Sequence, residues 1–169
     1  MKKRLLPVRK NLDDCLQSAK DDAFNLLSYR ERSENELKKR LLRKGHKRAI
    51  INQVIARLKD LDYLNDKRFA EMWIRDRIAN KPRGRYYLKK ELKNKGVKPA
   101  VIASVLNKLL TDGNEKEMAE RLANKWLKSH SIDKYNEAEY FLRLKRYLRN
   151  KGFSFDLVNI VVLKIEKNQ

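Results

Sequence analysis

Apolar positions recur along this chain at helical spacing, three times over and in the same order. Leu37, Leu41 and Gly45 stand four residues apart, as do Leu88, Leu92 and Gly96, and Leu144, Leu148 and Gly152. Five, six, nine, ten and thirteen residues after each glycine the chain is apolar again. These positions are Ile50, Ile51, Val54, Ile55 and Leu58; Val101, Ile102, Val105, Leu106 and Leu109; and Leu157, Val158, Val161, Val162 and Ile165. All fifteen are apolar in a chain that is 41% hydrophobic, which marks an internal repeat.

Spacing of four places the two leucines on one face of a helix, and a glycine four residues later supplies the left-handed conformation that ends helices cheaply. The positions after it trace a single stripe of period near 3.6, a second helix. A third amphipathic run precedes each pair. It contains Leu12, Cys15, Leu16, Ala19, Ala23, Leu26 and Leu27; then Phe69, Ala70, Met72, Trp73, Ile74 and Ile78, opened by Asp66 as N-cap; then Met118, Ala119, Leu122, Ala123, Trp126 and Leu127. Ser33 with Glu36 forms a capping box ahead of Leu37. Lys81-Pro82-Arg83-Gly84 breaks the second unit, and Thr111-Asp112-Gly113-Asn114 separates it from the third. No stretch alternates as a strand would. The pattern predicts an all-α protein of about nine helices in three tandem three-helix repeats, over 19–65, 66–113 and 114–169. Residues 1–18 form an N-terminal extension leading into the first helix. One triplet buries too little apolar surface to be very stable alone, so the repeats are expected to stack into an elongated, curved array with a long concave side.

Charge then narrows the function. The chain carries 42 Lys and Arg against 22 Asp and Glu, a net +20, and such a field draws in polyanions. The middle repeat is the most basic: Lys81 to Lys98 holds eight cations and one anion, Glu91. On the middle helix of each repeat, the positions seven, six and three before the glycine point away from the leucine face. They read Lys38, Lys39 and Leu42; Lys89, Lys90 and Lys93; and Lys145, Arg146 and Arg149. Three parallel copies of an outward basic face predict polyanion contact, against the alternative of a merely solvated surface. Arg83 and Arg85 flank Gly84 on a short loop, where guanidinium forks meet phosphate or carboxylate; helix entry plus surface charge is the competing reading. Tyr86 and Tyr87 beside them are placed to stack on bases or to pack inward. Lys44, Lys95 and Lys151, each just before its glycine, complement the helix dipole. Trp73, Trp126, Phe69, Phe24 and Phe141 lie on apolar stripes and are assigned to the core.

Other chemistries are not signalled. There is no P-loop, dinucleotide fingerprint, HExxH or nucleophile elbow, which points away from an enzyme and from a cofactor. One cysteine with only His46 and His130 leaves no zinc set, and Cys15 reads as a small core side chain. Met1 to Lys10 has no apolar h-region, and no run approaches the roughly 20 apolar residues that span a bilayer, so a cytoplasmic protein without a membrane partner is expected.

The segments Tyr63-Leu64-Asn65-Asp66-Lys67-Arg68-Phe69-Ala70, Lys81-Pro82-Arg83-Gly84-Arg85 and Leu88-Lys89-Lys90-Glu91-Leu92-Lys93-Asn94-Lys95-Gly96 resemble the signature of the RecX family of recombinase regulators. The resemblance covers about residues 19 to 167. The third repeat matches by pattern alone, and Asn65 stands where the family has an acid. The resemblance implies a non-enzymatic binding protein, a monomer that lies in the helical groove of the RecA filament near single- or double-stranded DNA. Blocked filament growth, with lowered ATP hydrolysis, strand exchange and repressor cleavage in the SOS response, is the implied activity. From charge and predicted exposure, Arg75, Arg77, Lys81, Arg83, Arg85, Lys89, Lys90 and Lys93 are the expected contacts, joined by Lys38, Lys39, Lys145, Arg146 and Arg149. A general nucleic-acid-binding module and an adaptor for acidic proteins are the alternatives.

Overall fold

The computed structural model describes residues 11–132 and 135–167. Among them are nine α-helices and no strand: α1 (Leu12–Tyr29), α2 (Glu34–Arg43), α3 (Arg48–Asp60), α4 (Asp66–Asn80), α5 (Arg85–Asn94), α6 (Pro99–Leu109), α7 (Asp112–Ser129), α8 (Glu137–Asn150) and α9 (Phe155–Glu166). Residues 1–10 of the expected N-terminal extension lie outside the described residues, and 12–18 belong to α1.

The repeated glycines end α2, α5 and α8 in one way. Gly45, Gly96 and Gly152 have φ of +90°, +79° and +92°, the left-handed region where a side chain is strained. Each stop closes with the same two bonds: His46, Val97 and Phe153 donate to the carbonyls of Leu41, Leu92 and Leu148, and the glycine amides donate to Leu42, Lys93 and Arg149. This is a Schellman cap, which pairs carbonyls that the helix leaves open. Val97 and Phe153 are buried behind it, whereas in the first repeat His46 pairs with Asp22.

Helix starts are specified by side chains. Asn11, Ser33, Thr111, Asn136 and Ser154 each accept from an amide three residues on. Thr111-Asp112-Gly113-Asn114, expected to be a separator, is therefore mostly the first turn of α7, because Thr111 caps and Asp112 favours the positive end of the helix. Asp66, expected as an N-cap, is the first residue of α4, and its Oδ1 accepts from the Glu34 amide at the start of α2, 2.8 Å away.

The molecule divides into two compact units, one up to Asp66 and the other from Lys67. In the first, α1, α2 and α3 pack mutually around Ala19, Ala23, Leu37, Leu41 and the α3 stripe. In the second, the remaining two repeats share one core, from Phe69 through Leu88, Leu92 and Met118 to Leu144, Leu148 and Val162. All six repeat leucines are completely buried. Phe69, Trp126 and Phe141 are buried as expected, and Trp73 is half-buried. Phe24 is not core: it is 42% exposed and meets Tyr63 edge-on at 5.3 Å. The reason is local, since α1 buries only the small Ala19 and Ala23, and the next position turns about 100° away.

Candidate nucleic-acid interface

The outward face of α5 follows from its buried one. Leu88 and Leu92 are wholly enclosed, so Lys89, Lys90 and Lys93 are exposed, and none pairs with an acid among the described residues. Lys39, Arg75, Lys81 and Arg146 are likewise exposed and free of ion pairs with described residues.

Other predicted contacts have internal partners. Arg77 donates to Glu91 (2.9 Å) and Asp76 (2.8 Å), and its guanidinium lies 4.4 Å from the centre of the Trp73 ring. Trp73 Nε1 donates to the same Glu91 carboxylate at 2.7 Å, so two donors of α4 share one acceptor on α5. Arg85 is turned toward the α6–α7 junction. Its guanidinium donates to the Leu110 carbonyl (2.6 Å) and Asn107 Oδ1 (3.0 Å), while its amide donates to the buried Glu115 at 2.7 Å. Lys38 pairs with Glu34 at 2.7 Å, Lys145 with Glu166 at 3.7 Å, and Arg149 donates to the Phe153 carbonyl. Such partly exposed pairs are weak, typically ~0 to 1 kcal/mol, so Lys38 and Lys145 exchange partners at little cost, whereas Arg85 is held by several bonds at once.

Arg83 stands apart from Arg85. The loop that carries it is fixed by backbone contact: the Gly84 amide donates to Lys151 O at 3.0 Å, and the Tyr86 amide to Gly152 O at 3.3 Å. A Cβ on Gly84 would run into the Gly152 carbonyl, and one on Gly152 into Tyr87. Tyr87 thus packs against the end of α8, whereas Tyr86 is 67% exposed. The docked loop holds the half-buried Arg83 beside Tyr87 with no carboxylate partner among the described residues.

Two cations outside the predicted set, Lys125 and Lys151, line the same cleft as Lys81 and Arg83. Burial, then the charges of Arg83 and Lys125, holds the Lys151 ammonium below the usual lysine range. In sequence Lys151 reads as a dipole partner; only the docking of the loop on α8 brings it and Lys125 to Arg83. Among the described residues no three His, Cys, Asp or Glu side chains form a metal-binding group, and no helix is long and apolar enough to cross a membrane.

Comparison with known proteins places this scaffold. Family models for the first, second and third three-helix domains of RecX match residues 19–58, 65–106 and 114–162. The chain is 31% identical over 160 residues to the regulatory protein RecX of Clostridium perfringens, covering 93% of this chain and 73% of that one. With the regulatory protein RecX of Oceanobacillus iheyensis it shares 31% over 156 residues, 92% of this chain but 56% of the longer relative. The crystal structure of RecX from Lactobacillus salivarius superposes with a TM-score of 0.83 at 27% identity, over 92% of this chain and 99% of that one. The chain belongs to the RecX family of regulatory proteins.

Proposed function

We propose that the protein binds RecA–DNA filaments in their helical groove and restrains the recombinase, slowing filament growth, ATP hydrolysis and co-protease action in DNA repair and the SOS response. It acts by binding rather than by catalysis, as a cytoplasmic monomer whose three repeats, 19–65, 66–113 and 114–169, are its domains. Membership of the family supports the class of partner. The observation that carries the reading is the α5 face: Lys89, Lys90 and Lys93 project from a wholly buried leucine pair and remain unneutralised by described acids, while Arg77 and Arg85 nearby are tied inward. A row of ammonium groups without acidic partners among the described residues attracts DNA phosphate or acidic protein without first breaking internal pairs.

The same row would serve a general nucleic-acid-binding module that needs no recombinase. ATP hydrolysis by RecA on single-stranded DNA, measured with increasing amounts of this protein, separates the two. Filament regulation lowers hydrolysis at amounts far below those that coat the DNA. A fall seen only when the DNA is covered means competition for DNA and removes the recombinase from the reading.

A further inference from the structure

Between the α4–α5 loop, α7 and the end of α8 lies a cleft of about 370 Å³, within the range of roughly 300 to 1,000 Å³ that small ligands occupy. Lys81, Arg83, Lys125 and Lys151 line it, and no carboxylate does. None of the four forms an ion pair among the described residues. Cations alone would accept any polyanion, but this cleft also has aromatic walls. His130 lies flat on Trp126, with ring centroids 4.2 Å apart and planes 9° from parallel, and Tyr147 faces the same space with the Lys151 ammonium 4.9 Å from its ring.

We propose that this cleft holds one nucleotide of single-stranded DNA, its phosphate among Lys81, Arg83, Lys125 and Lys151 and its base against Tyr147 and the Trp126–His130 stack. The inference deepens the function proposed above and rests on it for the strand being DNA. A phosphate supplies the negative charge that the cleft lining lacks, and it offsets the burial and the neighbouring Arg83 and Lys125 charges that hold the Lys151 pKa down. A base has a π-face for the rings, whereas an acidic peptide offers carboxylates with nothing to stack. Duplex DNA keeps its bases inside the helix, so the strand that fits is single. The docked Gly84 is what makes the cleft, because its backbone contact with Lys151 and Gly152 sets Arg83 beside the end of α8.

The test uses the full chain without RecA. The protein has two tryptophans, so Trp73→Phe leaves Trp126 as sole reporter. Titration with a short oligothymidylate should quench Trp126 emission to saturation. Lys125→Glu should lower affinity about tenfold and reduce the salt dependence by about one released counterion, while Lys98→Glu, an equal reversal at an exposed position outside the cleft, changes both far less. Lys125→Gln, which places no anion beside Trp126, should act in the same direction if the reversal disturbs folding. Equal losses at positions 125 and 98, or DNA binding by anisotropy with Trp126 unmoved, would overturn the proposal. So would equal quenching by polyglutamate, or quenching by thymidine monophosphate but not by the strand. A normal cleft signal in a protein that leaves RecA untouched would sink the filament reading and keep this one; RecA regulation unaltered by Lys125→Gln with no Trp126 signal would do the reverse.

Discussion

The Gly84 amide donates to the Lys151 carbonyl at 3.0 Å, so the loop that opens α5 is fastened to the stop that ends α8. One repeat's helix entry thereby becomes part of the next repeat's helix exit. Gly84→Ala drives a methyl group into the Gly152 carbonyl, where backbone has no rotamer with which to retreat. We expect a loss of about 3 kcal/mol or more, read from urea unfolding, together with loss of the Arg83–Lys151 neighbourhood. A change under about 0.5 kcal/mol, the range of ordinary surface substitutions, would mean the loop is not docked.

The glycine stops allow an internal comparison. Gly45 and Gly152 have nearly the same φ, yet a Cβ at Gly45 meets nothing within 4 Å, while one at Gly152 meets Tyr87. Gly45→Ala should cost about 1 to 2 kcal/mol, the left-handed penalty alone, and Gly152→Ala distinctly more. Equal costs in parallel denaturant titrations would contradict the packing of Tyr87 on α8.

These two positions show what the sequence discloses. The stops are legible because leucine spacing and a terminal glycine are local properties of a helix. The requirement at Gly84 is not, since it comes from backbone supplied by the following repeat. The same holds for charge. Periodicity places Lys89 and Lys93 outward, but nothing near Arg77 or Arg85 in sequence shows that Glu91 and Glu115 will engage them across helices. Phe24 misleads for a related reason, because a stripe drawn on α1 cannot reveal that only its alanines make the close approach.

Acid should loosen the first repeat at a definite place. Asp22 accepts from Lys44 at 2.6 Å and meets His46 Nε2 at 2.7 Å, joining α1 to the end of α2. The hydrogen bond from Lys44, then that from His46, holds its carboxyl below the usual value of 3.8. A depressed folded pKa stabilises above the unfolded value and is lost as pH falls through the folded one. The melting difference between the native chain and Asp22→Asn should therefore be present at neutral pH and vanish below that range. Since the site is only partly buried, the difference should also shrink in high salt. A difference that persists in strong acid would show that Asp22 acts by packing.

Charge and core separate on α5. Lys89→Glu with Lys93→Glu should weaken binding to RecA filaments or DNA while unfolding stays nearly unchanged. Leu92→Ala, on the opposite face and wholly buried, should cost about 2 to 5 kcal/mol. Equal destabilisation by the lysine pair would show that those side chains support the fold.

Electron cryomicroscopy of the protein on a RecA–DNA filament addresses the groove directly. Density for the chain should lie within the helical groove with Lys89, Lys90 and Lys93 of α5 turned toward DNA phosphate or acidic filament surface. Density confined to the filament exterior, or α5 facing bulk solvent, would contradict groove binding.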